Sequence, residues 1–374
     1  MTKPFGMPDH PVCGAKVGVA TFFLMPQPPL LFQEGSCGPL ILSEQHAFIY
    51  GASSSVSTPF GEVTEGTTLR AIIPAVNFQE NLAKLHSDRR NVAVYDMAIT
   101  LTIIVGAVYL LARHPGAWSY AIVFVTIGLM QYRMVIACHE AVHKRLLFPY
   151  WLNETVGGIH CALIGINLVW YRRQHLGHHA AQDIGHDTDA YIYEPILRTQ
   201  PGIRRIAVWI FGTAREVIEK VQQKGFTVAA TIEAEGKARL LALAIFAAQA
   251  ILLTACTVWL SWWYYFAFWF LPLGTIAIFM NRTRVLIEHG YPHVPQKEGV
   301  NMEAAKVETV DLSAGVLERF FFAPYMFNYH FTHHLAPSLP YYKNPELAQL
   351  LEQHGRASSA RPSYVQALRH VLWG

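Results

Sequence analysis

Four long apolar runs constrain the fold of this chain more than any other feature of its sequence. A helix that crosses a bilayer needs about 20 apolar residues, because the hydrocarbon core is about 30 Å thick. The four runs have this length or come close to it, and they cover residues 95–112, 118–138, 240–260 and 262–280. Only a short turn separates the first run from the second and the third from the fourth. The sequence therefore predicts two helical hairpins in a membrane.

The composition agrees with a membrane location. Charged residues make up 15% of the chain, whereas a soluble domain usually carries about 25%. The net charge of +3 gives no indication of a nucleic-acid partner. Five scattered cysteines without a CxxC pair argue against a disulfide framework and against a thiolate zinc cluster. Buried core helices of a soluble protein are an alternative, but two pairs of long apolar runs argue against it.

The distribution of basic residues predicts the orientation. They concentrate on the side to which each hairpin returns, namely Lys144, Arg145, Arg172, Arg173, Arg204, Arg205, Lys220, Lys224, Arg282 and Arg284. The opposite turns hold almost no positive charge beyond Arg113. By the positive-inside rule, we expect both termini and the segments 171–239 and 281–374 to be cytoplasmic.

Three further segments differ in composition from the four apolar runs. The apolar stretch 157–170 is too short to span, and it favours a re-entrant or interfacial helix. Segment 203–224 has basic ends and an apolar stripe, as a helix at the cytoplasmic interface would have. Residues 1–70 are rich in Gly, Ser, Thr and Pro, which is typical of a flexible extension. No cleavable signal peptide is expected, because no basic segment leads into an apolar run at the N-terminus.

Half of the 18 histidines occupy four places in the sequence. These are His139 and His143 in HEAVHK, His175, His178 and His179 in HLGHH, His289 in EHG, and His330, His333 and His334 in HFTHH. The other nine are dispersed, and a lone histidine is more often an ordinary core or surface residue than a ligand.

The clustered histidines indicate a metal site. Neutral imidazole suits iron, zinc, copper and nickel. Burying several imidazoles together has no packing benefit, because each brings a polar atom that needs a partner, and coordination satisfies them all. Nine imidazoles exceed what one ion holds, so two metals are expected. The predicted topology places every cluster on the same face of the membrane, although the clusters were found without it.

The sequence resembles a known family at these clusters. Residues 328–342 read NYHFTHHLAPSLPYY, which resembles the third histidine box of the membrane fatty acid desaturases, NYHxxHHL followed by PxxPYY. HEAVHK resembles their first box, and YRRQHLGHH followed by Asp187 and Asp189 resembles the second. The resemblance covers roughly residues 75–360. The wider superfamily includes alkane hydroxylases, sphingolipid desaturases, and carotenoid hydroxylases and ketolases.

The resemblance implies a nonhaem di-iron centre bound by the nine clustered histidines. Its ligands would be His139, His143, His175, His178, His179, His289, His330, His333 and His334. Glu288, beside His289, resembles the EH pair of the sphingolipid-desaturase branch and is a candidate outer group. The carboxylates of Asp183, Asp187 and Asp189 either accept the free ring N–H of ligating imidazoles or form a solvated acidic turn.

The resemblance also implies the chemistry and the partners. Members of the family activate O2 and attack an unactivated C–H bond of an acyl or other lipid substrate, and the outcome is a double bond or an alcohol. The electrons are expected from an external donor, namely ferredoxin, rubredoxin or cytochrome b5 with its reductase, since the chain shows no flavin, NAD or CxxC motif. His114-Pro115-Gly116 resembles a cytochrome b5 haem motif but lies in a short turn, so we expect no haem there.

Several alternatives differ in specific motifs. Front-end desaturases carry Gln where this chain has His330, together with a fused cytochrome b5 domain. Alkane hydroxylases carry HxxxHH and HYG where this chain has HxxHH and EHG. HExxH alone is also the signature of zinc metalloproteases, in which Glu140 would be the general base of an intramembrane protease. A membrane protein that binds metal without catalysis is a further alternative. The protease alternative leaves both HxxHH clusters unexplained and is distinguished by zinc rather than iron content, whereas O2-dependent turnover would exclude the non-catalytic binder.

The sequence thus predicts an all-α integral membrane protein with four transmembrane helices in two hairpins and a cytoplasmic, histidine-rich metal-binding cap. We expect a flexible N-terminal extension at 1–70, a membrane desaturase-like di-iron domain at 71–360 and a C-terminal tail at 361–374. The expected function is O2-dependent desaturation of an acyl chain, with a di-iron hydroxylase as the alternative.

Overall fold

A computed structural model of the protein describes residues 76–222, 236–293 and 302–374, and within these ranges the fold is helical without a β-strand beyond isolated bridges. The helices that follow here are α1 Val76–Ser87, α2 Ala93–Arg113, α3 Ala117–Val142, α4 Tyr150–Leu163, α5 Leu168–Ala180, α6 Ala190–Leu197, α7 Ile203–Gln222, α8 Gly236–Trp259, α9 Trp262–His293, α10 Val316–Phe321, α11 His330–Leu335, α12 Asn344–Gln353 and α13 Tyr364–Trp373. The predicted all-α class is confirmed. The expected extension at 1–70 lies outside the described residues.

Four of these helices are long and apolar enough to cross a membrane, namely α2, α3, α8 and α9. They coincide with the four predicted runs. Helices α2 and α8 bury little of their surface inside the protein, and their outward side chains include the exposed Val105 and Ile251. An apolar surface of this extent is expected to face lipid rather than water. Helix α3 is instead mostly buried among its neighbours.

Helices α3 and α9 extend beyond the helices beside them. The Arg133 side chain of α3 pairs with Asp96 in the first turn of α2, with 3.2 Å between Nη2 and Oδ1. The nine residues that follow in α3 therefore project about 14 Å further, at about 1.5 Å per residue. Helix α9 likewise continues from its apolar part into the buried polar residues 281–284. These two extensions carry His139 and His289.

The short segment expected over 157–170 is divided between two helices. Helices α4 and α5 are bent by 99° relative to each other. Gly165, at the break, has a φ of 73°, which favours glycine. Asn167 then caps α5, because its side-chain oxygen accepts hydrogen bonds from the backbone N–H groups of Val169 and Trp170. The bend turns α5, with the second histidine box, back towards the end of α3.

Segments flanking the spans pack against α9. The predicted helix over 203–224 is present as α7, and its Trp209 indole donates a hydrogen bond to the Thr283 hydroxyl at 3.0 Å. The residues expected to form a C-terminal tail contain α13, whose Val371 and Leu372 are buried. The tail is therefore part of the packed fold. The division of the chain into domains stays a prediction.

Close packing between α3 and α9 depends on Gly128. Helix α9 contains two π-helical segments, Phe266–Phe270 and Leu273–Ala277, and Ile276 of the second lies against Gly128. A Cβ atom at position 128 would lie 2.5 Å from the Ile276 Cβ. A methyl group does not fit there unless the two helices move apart.

We expect Gly128→Ala to lower the free energy of unfolding by about 1–3 kcal/mol, the usual cost of overpacking. The matched control is Gly106→Ala in α2, where a Cβ would have no atom within 4 Å. This control should be neutral or stabilising, because alanine favours a helix over glycine. The thermal midpoints of the purified proteins in detergent measure both effects. Equal midpoints for the two variants would contradict the proposed contact.

Candidate metal centre

The structure assembles the nine clustered histidines into two groups. Within each group, one ring nitrogen of every member lies within 4.8 Å of those of all the others. The five-histidine group consists of His139, His143, His175, His179 and His333. The four-histidine group consists of His178, His289, His330 and His334. The predicted histidines are thus brought together, and they divide in a way that the sequence alone did not show.

The HxxHH spacing explains the division. The first and last histidines of such a box are four residues apart, so they lie on one face of a helix, while the inner histidine points to one side of them. In both boxes the outer pair belongs to one group and the inner histidine to the other. The inner histidines are His178 of α5 and His333 of α11. Each box therefore contributes to both groups and holds them side by side.

The spacing of nitrogen atoms in the four-histidine group suits a shared ion. The Nε2 atom of His330 lies 2.9 Å from that of His289 and 3.1 Å from that of His334. The Nε2 atoms of His178 and His334 are 3.3 Å apart. Two nitrogens that bind one ion at about 2.1 Å lie about 3 Å apart when their bonds form a right angle. The observed distances fit that arrangement.

The five-histidine group contains buried nitrogens that need a partner. The Nε2 atoms of His139, His143 and His333 are buried without a hydrogen-bond partner in the described part of the chain. Burying a polar group in this way is costly unless something satisfies it. Burial, followed by the nearby imidazoles His175 and His178, holds the pKa of His333 well below its ordinary value. A neutral imidazole is the form that binds a metal, so these residues fit a bound metal ion.

The two groups are in direct contact. The rings of His179 and His334 are stacked, with 4.2 Å between their centroids and 27° between their planes. His179 belongs to one group and His334 to the other. Two ions held by these groups would therefore form one binuclear centre rather than two separate sites.

The acidic turn after α5 supplies one close carboxylate. Asp187 Oδ1 lies 2.6 Å from the Nδ1 atom of His178, and the Asp187 side chain is fully buried. Asp189 Oδ2 is 3.7 Å from Nδ1 of His175, which is too long for a hydrogen bond. Asp183 pairs instead with the exposed His186, which belongs to neither group. Of the two alternatives for Asp183, its position agrees with the acidic turn and not with support of a clustered histidine.

Two buried glutamates also lie beside the groups. Glu140 Oε1 is 3.1 Å from Nδ1 of His139, on the opposite side of the ring from the unpartnered Nε2. That position suits an outer support better than the general base of a zinc protease. Glu288 Oε2 accepts a hydrogen bond from Arg284 at 2.7 Å and lies 3.5 Å from Nδ1 of His330. The expectation of an outer role for Glu288 agrees with this position.

One supporting residue was missed by the sequence reasoning. Asp311 accepts hydrogen bonds from the backbone N–H and the hydroxyl of Thr332, at 3.0 and 2.7 Å. This fixes the third box from a loop that precedes it. Asp311 lies 19 residues before His330, outside every motif, so no local pattern indicates its contact.

The comparison with known protein families agrees with this geometry. The family model for fatty acid desaturases matches residues 115–365, which is more than half of the chain and includes all nine clustered histidines. The chain belongs to the fatty acid desaturase family. Curated individual proteins gave no match. Membership makes the protein a membrane oxidoreductase of the desaturase and hydroxylase type, in agreement with its four apolar helices and its clustered histidines.

Proposed function

We propose that this desaturase-family protein is an O2-dependent, nonhaem di-iron enzyme that introduces a double bond into an acyl chain. The observation that carries the proposal is the joining of five and four buried imidazoles into two adjoining groups. A structural role does not require nine such groups in contact. All-nitrogen neutral ligands suit iron.

The nine clustered histidines are the proposed ligands. The five-histidine group would hold one iron and the four-histidine group the other. Iron bound there would supply O2 activation and the removal of hydrogen from an unactivated C–H bond. The protein itself orients the imidazoles and excludes water, since seven of the nine histidines are buried and the other two, His179 and His334, are partly buried. Asp187 fixes the ring of His178, and Asp311 fixes the turn that carries His333.

The proposed substrate is an acyl lipid, which the surrounding bilayer would deliver. The exposed apolar faces of α2 and α8 support this setting. Electrons would come from a separate donor, for which ferredoxin, rubredoxin and cytochrome b5 with its reductase are the candidate classes. Each of these reaches the protein from the aqueous phase, which is the side on which the extensions of α3 and α9 would emerge.

We further propose that the spans form two hairpins with both termini and the metal centre in the cytoplasm. The support is the concentration of basic residues beyond the histidine-bearing ends of the spans. A reporter inserted after Pro115 should be accessible from outside the cell, whereas one inserted after Arg198, in the exposed turn after α6, should be accessible only after lysis. The reverse pattern would contradict the orientation without affecting the proposed chemistry.

The function is tested by the lipids of a host that expresses the protein. Gas chromatography–mass spectrometry of total fatty acids should show a new unsaturated species, and the fragments should place its double bond. Co-expression of each donor class in parallel ensures that reducing equivalents are available. A new hydroxylated species in its place would make the protein a hydroxylase. No new product with any of the donors would contradict the proposal.

A further inference from the structure

Tyr193 lies beside the four-histidine group, where it contacts one member directly and is linked to a second through Asp187. The residue belongs to α6, and its side chain is fully buried. Its hydroxyl donates a hydrogen bond to Asp187 Oδ2 at 2.6 Å. Its ring is stacked on that of His289, with 5.2 Å between the centroids and 14° between the planes. None of the histidine motifs includes this tyrosine.

The hydrogen bonds of Asp187 show what the hydroxyl does. Asp187 Oδ1 accepts from the backbone N–H of Asp189 at 2.7 Å and faces Nδ1 of His178 at 2.6 Å. The Tyr193 hydroxyl occupies the other oxygen, Oδ2. Both carboxylate oxygens are therefore engaged, and the carboxylate is held in one orientation. A carboxylate held in this way keeps the proton of His178 on Nδ1 and leaves Nε2 free to bind a metal.

The contact between the Tyr193 and His289 rings orients His289. The Nδ1 atom of His289 is buried and has no hydrogen-bond partner among the described residues. No carboxylate therefore fixes the plane of this ring, as Asp187 does for His178. The plane depends on packing, and the nearly parallel ring of Tyr193 restricts it on one side. The His178 and His330 rings contact it edge-on, with centroids 4.8 and 4.9 Å away.

We infer that Tyr193 is a positioning residue of the metal centre, which orients His178 through Asp187 and His289 through ring stacking. The inference rests on the proposed function, because it requires that the four-histidine group holds an ion. Its effect should be confined to that ion. No member of the five-histidine group depends on Tyr193 through either of these contacts.

The chain offers a matched control for a buried tyrosine that binds a carboxylate. The Tyr341 hydroxyl donates to Asp96 Oδ2 at 2.7 Å, and Tyr341 is also buried. Asp96 pairs with Arg133 of α3 and belongs to neither histidine group. Tyr193→Phe and Tyr341→Phe remove the same atom from similar hydrogen bonds, and only the first is next to the histidines. A purely structural role of the hydroxyl would make the two variants alike.

The test measures the release of iron from purified, reduced protein to a chromogenic Fe(II) chelator. The wild type and Tyr341→Phe should release two ions per chain at the same rates. Tyr193→Phe should release one of its two ions about 10-fold faster, since loss of an outer partner typically weakens binding 10- to 100-fold. Tyr193→Leu, which also lacks the ring, should show a larger acceleration. Size-exclusion profiles check that every variant remains folded.

A second comparison locates the affected ion. In a His334→Ala background the four-histidine group lacks one ligand, and the remaining ion is the one held by the five-histidine group. Tyr193→Phe should no longer change the rate at which this remaining ion is released. The inference is overturned if Tyr193→Phe releases both ions within twofold of the wild-type rates, or if Tyr341→Phe matches it. It is also overturned if the remaining ion of His334→Ala still responds. A wild-type protein that binds no iron would instead contradict the proposed function itself.

Discussion

His333→Ala is expected to abolish formation of the unsaturated product and to lower the bound iron from two ions per chain towards one. His333 is the inner histidine of the third box, and it is the member of that box that joins the five-histidine group. Its Nε2 atom is buried without a hydrogen-bond partner among the described residues, and a bound metal ion would satisfy this nitrogen. Loss of an outer partner alone typically costs 10- to 100-fold. Loss of this ligand should therefore lower turnover by more than about 100-fold.

The matched control for this variant is His186→Ala. His186 lies between the second and third boxes in the sequence, but it is exposed and pairs with Asp183 rather than with the clustered histidines. Its removal should leave both product and iron unchanged. Both variants should remain in the membrane fraction, because neither substitution lies in an apolar span. If His333→Ala retains product formation, the third box is not part of the active centre.

The existence of the four long helices could be predicted because it follows from local hydropathy. The end of α9 could not, since its predicted span stops at residue 280 and the helix continues to His293. The continuation buries Arg282, which pairs with Glu216 of α7 at 2.9 Å between Nη1 and Oε2. Because Arg282 and Glu216 are far apart in the sequence, no local pattern indicates that the arginine is buried. The basic residues used to predict orientation thus include some that serve the packing.

The histidines could be predicted, but their division into two groups could not. The i, i+4 spacing puts two imidazoles on one face of a helix. Which histidine-bearing helix faces come together depends on how α3, α5, α9 and α11 pack against one another. That arrangement depends on the 99° bend between α4 and α5 and on the loop that carries Asp311. Tyr193 was missed for the same reason, because only the tertiary fold brings it against His289.

Arg172 connects the first histidine box to the rest of the fold. Its Nε and Nη2 atoms donate to the backbone oxygens of Val142 and Ala141, both at 2.8 Å. These carbonyls belong to the last turn of α3 and have no partner within that helix. The same guanidinium pairs with Glu154 of α4, with 2.6 Å between Nη2 and Oε1, and Lys237 of α8 pairs with the other carboxylate oxygen. Arg172 of α5 and its partners thereby join helices α3, α4, α5 and α8 beside His143.

Arg172→Ala is expected to lower the free energy of unfolding by about 3 kcal/mol, because it removes the guanidinium from the nearly buried Glu154 carboxylate and the donor from the Val142 carbonyl. His143 directly follows Val142, so its ring should then be held less well and the iron content should also fall. Arg172→Lys should be intermediate, since it keeps the charge but loses the planar fork that reaches the carbonyls and Glu154 together. Thermal midpoints and iron content of the purified variants measure both effects.

Arg173→Ala is the matched control, because the neighbouring side chain is exposed and makes none of these contacts. A general effect of removing positive charge from this side of the membrane would lower the expression or stability of both variants equally. The structure instead predicts a large loss for Arg172→Ala and almost none for Arg173→Ala. Equal losses would mean that Arg172 acts through topology alone. In that case, the hydrogen bonds at the end of α3 would not be what holds the first box in place.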